Sequence, residues 1–215
     1  MSINSEIQNK VNTVIELIEA RYAYPNPDAP LPSRPYIIAI DGRCGSGKTT
    51  LAEALKRKLE NSQPHIKIEL FHMDDFYLRP SQRTEERFAL PGGNVDHERF
   101  LSDVLTKIIR SEEFSYRPFD CASFTLSEPI NVKPCHIALI EGSYSLHPQL
   151  CDHYDLKVFL SISPEEQRQR ILIRNGKEKL EQFVNRWIPF EELYFNCCGV
   201  RDSADLVIDM RFPVE

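Results

Sequence analysis

Residues 37–50 read IIAIDGRCGSGKTT, an apolar run that leads into a loop rich in glycine. The polar half has the spacing of a phosphate-binding loop, Gly42-x4-Gly47-Lys48-Thr49. Glycines let backbone N–H groups approach phosphate oxygens, and a helix that begins at Lys48 points its positive end at the same anion. Lys48 adds a positive charge, and the Thr49 hydroxyl can bind Mg²⁺. The stretch therefore predicts a triphosphate site formed by Gly42, Gly45, Ser46, Gly47, Lys48, Thr49 and Thr50.

The chain around this loop alternates short apolar strands with helices. Strands are predicted over residues 36–41, 66–71, 136–141, 155–162 and 205–210. Helices are predicted over residues 48–61, 97–111, 164–175 and 178–194, with a mostly irregular segment at 74–96. This alternation is typical of an α/β fold in which helices cover both faces of a parallel sheet. With the phosphate loop, it predicts a P-loop NTPase whose ligands bind at the carboxyl ends of the strands.

The first 35 residues are predicted to lie outside this core. Apolar residues recur every three or four positions from Ile3 to Ile18, which indicates an amphipathic helix of about 15 residues. Five prolines within residues 24–35 then exclude a helix and predict an extended connector. We therefore divide the chain into a helix with its connector, residues 1–35, and a P-loop domain, residues 36–215.

Composition argues against several classes of partner. The net charge of −6 and the pI of about 5.6 disfavour binding to duplex nucleic acid. No window approaches about eighteen consecutive apolar residues, and the N-terminus has no continuous apolar core, so neither a membrane span nor a signal peptide is expected. The six cysteines show no CxxC spacing, and the cysteine and histidine positions fit no common zinc pattern. We expect a cytoplasmic protein with free thiols and no membrane partner.

Two further strand ends carry acidic residues. The strand HIALIE ends at Glu141, where a carboxylate can complete the Mg²⁺ site opposite Thr49. The second strand is followed by HMDDFY, residues 72–77, and a carboxylate here can accept the proton of an attacking hydroxyl. The side chains of the adjacent Asp74 and Asp75 are expected to diverge, so that one of them faces the site. Simpler roles, as a solvated strand end or the cap of a turn, stay open for these acids.

Absent motifs narrow the class of P-loop protein. Neither a guanine-reading NKxD sequence nor the LSGGQ signature of ABC ATPases occurs. A chain of 215 residues is also short for a motor domain. The remaining combination, a triphosphate loop with an acid across from it, predicts a kinase of small alcohols.

Taken in order, GRCGSGKTT, HMDDFY, GGNVDHERF, YRPFD and ALIEGSY resemble the uridine kinase-like family of P-loop kinases, the phosphoribulokinase/uridine kinase group. The resemblance covers about residues 36–210. It implies a nucleoside-monophosphate-kinase-like fold and transfer of the γ-phosphoryl of ATP to a primary hydroxyl, with Mg²⁺ as cofactor. It places the general base at Asp74 and the metal-side acid at Glu141. The acceptor-binding side chains that it implies are Tyr77, Asp96, Tyr116 and Asp120.

An arginine-bearing segment is interpreted as a lid at about residues 167–187. Arg170 and Arg174 are four positions apart and share a helix face, with Arg168 close by and Arg186 as a weaker candidate. Such a lid stabilises charge on the transferred phosphoryl and expels water that would hydrolyse ATP. The residues assigned to catalysis are therefore Asp74, Lys48, Arg170 and Arg174, and Arg168 is assigned to ATP binding. The alternative is a solvated basic helix face.

The sequence leaves several alternatives for the identity of the phosphoryl acceptor. Uridine-phosphorylating members carry a histidine and an arginine after the segment that matches YRPFD, and this chain has neither before Glu128. Phe119 and Phe124 can stack on a base or belong to the core. A nucleoside such as uridine or cytidine is the first candidate, and nicotinamide riboside, pantothenate or a sugar derivative is the alternative. A protein that binds ATP as a regulatory switch, without acceptor chemistry, is the rival class.

Two segments have no assigned chemistry. Residues 79–93, RPSQRTEERFALPGG, contain Arg79, Arg83 and Arg87. We interpret them as a mixed-charge surface loop in preference to an acceptor site. The N-terminal helix is open to a packing role or to a role in a homo-oligomer.

Overall fold

The computed structural model describes residues 3–211, without the side chains of residues 3 and 4. The side chain of Ile3 and the predicted domain end at residues 212–215 therefore lie outside the described residues. The strands are β1 (Tyr36–Gly42), β2 (Ile68–His72), β3 (Phe114–Tyr116), β4 (Phe119–Asp120), β5 (Thr125–Leu126), β6 (Ile130–Val132), β7 (Ile137–Glu141), β8 (Leu156–Ser161) and β9 (Leu206–Asp209). Five of them form one parallel sheet in the order β2–β7–β1–β8–β9, which confirms the predicted fold class.

The helices are α1 (Ile3–Arg21), α2 (Lys48–Ser62), α3 (Glu85–Phe88), α4 (residues 97–109), α5 (Pro148–Cys151), α6 (Pro164–Gln182) and α7 (Ile188–Cys198). Gly176 interrupts α6 with a φ of 81°, close to the predicted boundary between two helices. A π-helical turn, Phe183–Trp187, then joins α6 to α7. Over residues 3–211, none of these helices has both the length and the apolarity that a membrane span requires.

The sheet separates two apolar layers because alternate residues of each strand face opposite sides. On β1, Ile37 and Ala39 belong to one layer, and Ile38 and Ile40 belong to the other. α1 and α2 cover the second layer, where α1 contributes the fully buried side chains of Val11, Val14 and Ile18. α1 is thus part of the helical cover of the sheet, and its separation as a unit of its own stays a prediction.

Two small hairpins lie between α4 and β7, where no strands were predicted. β3 pairs with β6, and nested inside them β4 pairs with β5, both antiparallel. Their strands are two or three residues long, too short for an alternation of apolar residues to be recognised. The inner turn holds Phe124 in a left-handed conformation, with a φ of 57°, and 49% of Phe124 is exposed.

Candidate active site

A cavity of about 670 Å³ lies at the carboxyl ends of β1, β2 and β7. On one side its lining comes from the phosphate loop, the end of β7 and helix α6, which carries the predicted lid arginines. On the other side it comes from the segments after β2 and from the inner hairpin. We call the second set the acceptor side, which consists of Asp74, Tyr77, Arg83, Asn94, Cys121 and Phe124. The predicted position of the site, at the strand ends, agrees with this cavity.

The phosphate loop leaves β1 at Gly42, where only glycine fits. A Cβ there would lie 2.3 Å from the carbonyl oxygen of Leu160 on the neighbouring strand, and φ is 145°. Gly47 ends the loop with a φ of 92° and precedes the first turn of α2, so the N–H groups of that turn face the cavity side of the loop. Gly45, Gly47, Thr49 and Thr50 line the cavity, while Ser46 is buried and its Oγ has no hydrogen-bond partner within the described residues. The loop therefore fits a bound phosphate group.

Lys48 is only 8% exposed and is held at the mouth of the loop. Its Nζ donates to the carbonyl oxygens of Gly42 and Arg43 at 2.8 and 3.0 Å, and to Ser143 Oγ at 3.2 Å. All three acceptors are neutral oxygens, so these hydrogen bonds do not pair the ammonium group with a carboxylate. The arrangement suits an anion carrying several charges.

Thr49 and Glu141 form the pair predicted for the metal. Thr49 Oγ1 donates to Glu141 Oε1 at 3.0 Å, and His72 Nδ1 lies 2.5 Å from the same oxygen. The hydrogen bond to Glu141 raises the pKa of His72. A hydroxyl and a carboxylate are hard oxygen ligands of the kind Mg²⁺ prefers. Within residues 3–211, no group of three or more histidines, cysteines or acids could hold a metal unaided, so phosphate oxygens and water would complete the shell.

The two adjacent aspartates diverge, as expected, because a 3₁₀ turn over Met73–Phe76 separates their directions. Asp74 lines the cavity and accepts a hydrogen bond from the Tyr77 hydroxyl at 2.9 Å. Asp75 accepts instead from Tyr116 at 3.0 Å, and burial raises the pKa of Asp75. Asp74 is therefore the carboxylate that can reach an acceptor.

The lid arginines divide into two groups. Arg170 and Arg174 line the cavity, where Arg170 donates to the carbonyl oxygens of Gly45 and Met210, and Arg174 Nη2 lies 3.4 Å from Cys44 Sγ. Arg168 lies outside the lining and pairs with Glu165 at 3.3 Å, and its assignment to ATP stays a prediction. Arg186, the weaker candidate, lies over the rings of Phe88 and Trp187.

Three side chains that the family resemblance placed in the acceptor site lie elsewhere. Asp96 caps α4 by accepting from the Arg99 N–H, and it also accepts from Gln82. Tyr116 is 6% exposed and is engaged with Asp75, and Asp120 accepts from Ala122 and Ser123 in the hairpin turn. None of the three lines the cavity, because each satisfies a local structural need, and their assignment to acceptor binding stays a prediction. The fourth side chain that the resemblance placed in the acceptor site, Tyr77, does line the cavity.

Glu191 was missed by the sequence analysis. It is 3% exposed, and its carboxylate accepts from the Cys44 N–H and the Ser143 hydroxyl, both at 2.9 Å, and from Gln167 Nε2 at 2.8 Å. Burial raises the pKa of Glu191, while the charge of Lys48 opposes that shift. The residue ties α7 to the phosphate loop. The sequence signal that could have identified Glu191 is its spacing. Ile188, Glu191 and Tyr194 are three positions apart, so they share one face of α7.

Asp41, the last side chain of β1 before the loop, was also missed. It is fully buried and accepts from the N–H groups of Gly42, Tyr144 and Leu146 and from the Tyr194 hydroxyl. Burial raises the pKa of Asp41, and its hydrogen bonds and the charge of Lys48 oppose the shift. Asp41 therefore fixes the segment after β7 against the start of the loop.

The strand order, the phosphate loop and the Thr49–Glu141 pair together define a P-loop kinase fold. The chain belongs to the phosphoribulokinase / uridine kinase family, whose model matches residues 37–209. The family consists of kinases, and their substrates are small molecules.

The chain is similar to several known proteins, not all of which are named as kinases. The uridine kinase of Lactiplantibacillus plantarum is 30% identical over 155 residues, which are 68% of this chain and 70% of that protein. The tRNA-specific adenosine deaminase subunit tad2 of Schizosaccharomyces pombe is 29% identical over 184 residues, 83% of this chain but only 45% of that longer protein. The structure of "a Possible Uridine Kinase" from Bacillus stearothermophilus has the same fold, with a TM-score of 0.72 at 21% identity over 95% of this chain and 100% of that one.

Proposed function

We propose that this chain is an ATP- and Mg²⁺-dependent kinase that transfers a phosphoryl group to a hydroxyl of a small molecule. The observation that carries the proposal is one cavity whose lining holds Lys48, Thr49 and Glu141 together with Asp74. The first three supply a cation and two oxygen ligands for a metal-bound triphosphate, and Asp74 supplies a base for an alcohol. A protein that only bound ATP would need the first set and not the second.

On the donor side, the loop N–H groups and Lys48 bind the phosphates. Thr49 and Glu141 would hold Mg²⁺, which supplies positive charge to the phosphate oxygens when bound. Arg170 and Arg174 lie on the α6 side of the same cavity and stabilise charge on the phosphoryl group as it is transferred. Most of the rate enhancement then comes from positioning and electrostatics.

On the acceptor side, Asp74 receives the proton of the attacking hydroxyl. The acceptor oxygen forms its bond to the γ-phosphorus while the bond from that phosphorus to the bridging oxygen of ADP breaks. Tyr77 donates its hydroxyl hydrogen to Asp74 and orients the carboxylate. Burial and the nearby Asp74 charge raise the pKa of Tyr77 well above its usual range, so the phenol stays protonated and continues to donate.

Two classes of alcohol are candidates for the acceptor. Relatives named uridine kinase favour a nucleoside such as uridine or cytidine. The positions of Asp96, Tyr116 and Asp120 outside the cavity favour another small alcohol, because these are the residues that the family resemblance gave to the acceptor. Of the two aromatic candidates for stacking on a base, Phe119 is buried and Phe124 lines the cavity.

The test is a phosphoryl-transfer screen with γ-labelled ATP and Mg²⁺. Uridine, cytidine, nicotinamide riboside, pantothenate and simple sugars serve as acceptors, and product is separated by chromatography. We expect at least one hydroxyl compound to become labelled, with one ADP formed for each product. Binding of ATP without transfer to any acceptor would instead identify a regulatory nucleotide-binding protein.

A further inference from the structure

The three arginines of residues 79–93 have different surroundings. Arg79 donates to Gln82 and lies 3.7 Å from the Asp96 carboxylate. Arg87 forms a two-pronged ion pair with Glu98, at 2.6 and 2.7 Å. These two arginines serve the fold of their own segment, as expected for a mixed-charge surface loop.

Arg83 differs because no carboxylate in residues 3–211 pairs with it. Its Nε donates to the carbonyl oxygen of Leu78 at 2.8 Å, which is the one hydrogen bond of the Arg83 side chain within the described residues. That bond leaves both terminal nitrogens of the guanidinium without a protein acceptor. Of the three arginines, Arg83 alone lacks an acidic partner within the described residues. Its terminal nitrogens can therefore bind an anion from outside the chain.

The aromatic residues of the hairpin hold the Arg83 guanidinium in place. Its central carbon lies 4.9 Å from the ring centroid of Phe124 and 5.5 Å from that of Phe119. Such contacts contribute attraction while leaving the hydrogen-bonding edge of the guanidinium available. They also explain a feature of the hairpin, since a half-exposed phenylalanine in a left-handed turn is costly without a partner.

Arg83 shares the acceptor side of the cavity with Asp74 and Tyr77. The other cations of the lining, Lys48, Arg170, Arg174 and Lys179, belong to the phosphate loop or to α6. The acceptor side thus has one arginine, Arg83, in the same cavity as the proposed base Asp74. The Arg83 guanidinium is held in place by aromatic contacts and has no acidic partner within the described residues. A planar guanidinium in that state binds a carboxylate or a phosphate through two parallel hydrogen bonds.

We propose that Arg83 binds an anionic group of the acceptor, so that the substrate is an alcohol that also carries a carboxylate or a phosphate. The inference rests on the proposed function, since it names the class of alcohol that the kinase phosphorylates. The hydroxyl lies at Asp74 and the anionic group lies at Arg83, and a neutral alcohol leaves the guanidinium unpaired.

The experiment compares matched alcohols with and without the anionic group. The pairs are D-glycerate with glycerol, pantothenate with pantothenol, and ribulose 5-phosphate with ribulose, and uridine serves as a neutral nucleoside. We expect transfer to an anionic member with a kcat/KM about 10- to 100-fold above that of its neutral partner, as the loss of one charge-assisted hydrogen-bonded pair predicts. The carboxylate and phosphate arms identify which anion the site takes.

Variants connect this preference to the residue. Arg83→Gln should raise the KM for the anionic acceptor about 10- to 100-fold and leave the KM for ATP unchanged. Arg83→Lys should restore part of the loss, because a point charge replaces the two-pronged contact. Arg79→Gln, in the same segment, is the matched control and should leave both constants unchanged, and a melting curve for each variant checks that it is folded.

The outcomes separate this inference from the proposed function. Transfer to uridine or to neutral alcohols alone, or an Arg83→Gln variant with an unchanged acceptor KM, overturns the anion site and leaves the kinase intact. Absence of transfer to every compound, with ATP still bound, overturns the kinase proposal and the anion site with it.

Discussion

The two sides of the cavity are built in different ways. On the donor side, Lys48, Glu141 and Glu191 are each less than 10% exposed and contact two or more neighbours, and all sit on or beside the central strands. On the acceptor side, Asp74 and Phe124 are exposed, and the Arg83 side chain has a single hydrogen bond within the described residues. The proposed function thus places triphosphate chemistry beside the rigid sheet, and acceptor chemistry on loops that can vary without disturbing it.

Lys48→Ala tests the donor side and should have the largest effect. Loss of the loop cation is expected to lower kcat/KM about 10³-fold and to weaken triphosphate binding, because ground-state and transition-state contacts are both removed. Lys67→Ala removes an exposed lysine whose backbone alone forms hydrogen bonds, and it should behave as the unchanged protein. Steady-state kinetics measure kcat/KM, and ATP titration measures triphosphate binding. Normal activity in Lys48→Ala would contradict the assignment of the phosphate loop to ATP.

Asp74→Asn tests the acceptor side. The expected loss is about 10²- to 10³-fold in kcat, with ATP affinity unchanged, since the amide keeps the shape and cannot accept the proton. Asp75→Asn is the matched control, because that neighbour contacts Tyr116 and does not line the cavity. Equal losses of kcat in the two variants would contradict the assignment of the base.

Arg174→Ala tests whether α6 contributes to the chemistry. We expect kcat to fall about 10- to 100-fold as a stabilising charge is removed from the transferred phosphoryl. Arg168→Ala, on the same helix and paired with Glu165, should have little effect on turnover. A fall for Arg168→Ala as large as that for Arg174→Ala would contradict the assignment of Arg174, and not Arg168, to the transferred phosphoryl.

Glu191→Gln tests how the donor side is held together, and its effect should appear in stability. The new amide places an NH2 group against the N–H of Cys44 or the NH2 of Gln167, so one buried donor loses its acceptor. We expect the free energy of unfolding to fall by about 1–3 kcal/mol in urea titrations. Glu192→Gln breaks a partly exposed pair with Arg43 and should lower the free energy of unfolding by less than about 1 kcal/mol. An equal decrease in the two variants would contradict a special stabilising role for the buried Glu191 carboxylate.

The same contrast explains what the sequence could predict. The phosphate loop is contiguous, with its strand before it and its helix after it, so local spacing was sufficient to predict the fold and the place of the loop in it. Glu191 reaches Cys44 across 147 positions, and no local pattern reports such a contact. Arg83 resembled its two neighbours in sequence, and only the pairing of Arg79 and Arg87 with nearby acids distinguished it.

The residues carried over from the family resemblance show a second limit. Asp96, Tyr116 and Asp120 occur in the expected order, but order along the chain does not fix the direction of a side chain. Asp96 is the N-cap of α4, and Asp120 closes a hairpin turn, two roles that these residue types favour on their own. The divergence of Asp74 and Asp75 was predictable, whereas which of them faced the cavity depended on a 3₁₀ turn.

The burial of α1 against the sheet bears on how the protein can be shortened. The family match begins at residue 37, yet Val11, Val14 and Ile18 belong to the same apolar layer as Leu51, Leu55 and the inner strands. A chain trimmed to the matched region would therefore expose a continuous apolar surface to water, and such surfaces promote aggregation. The N-terminal helix, which carries none of the proposed chemistry, is therefore expected to be required for a soluble form of the family-matched region.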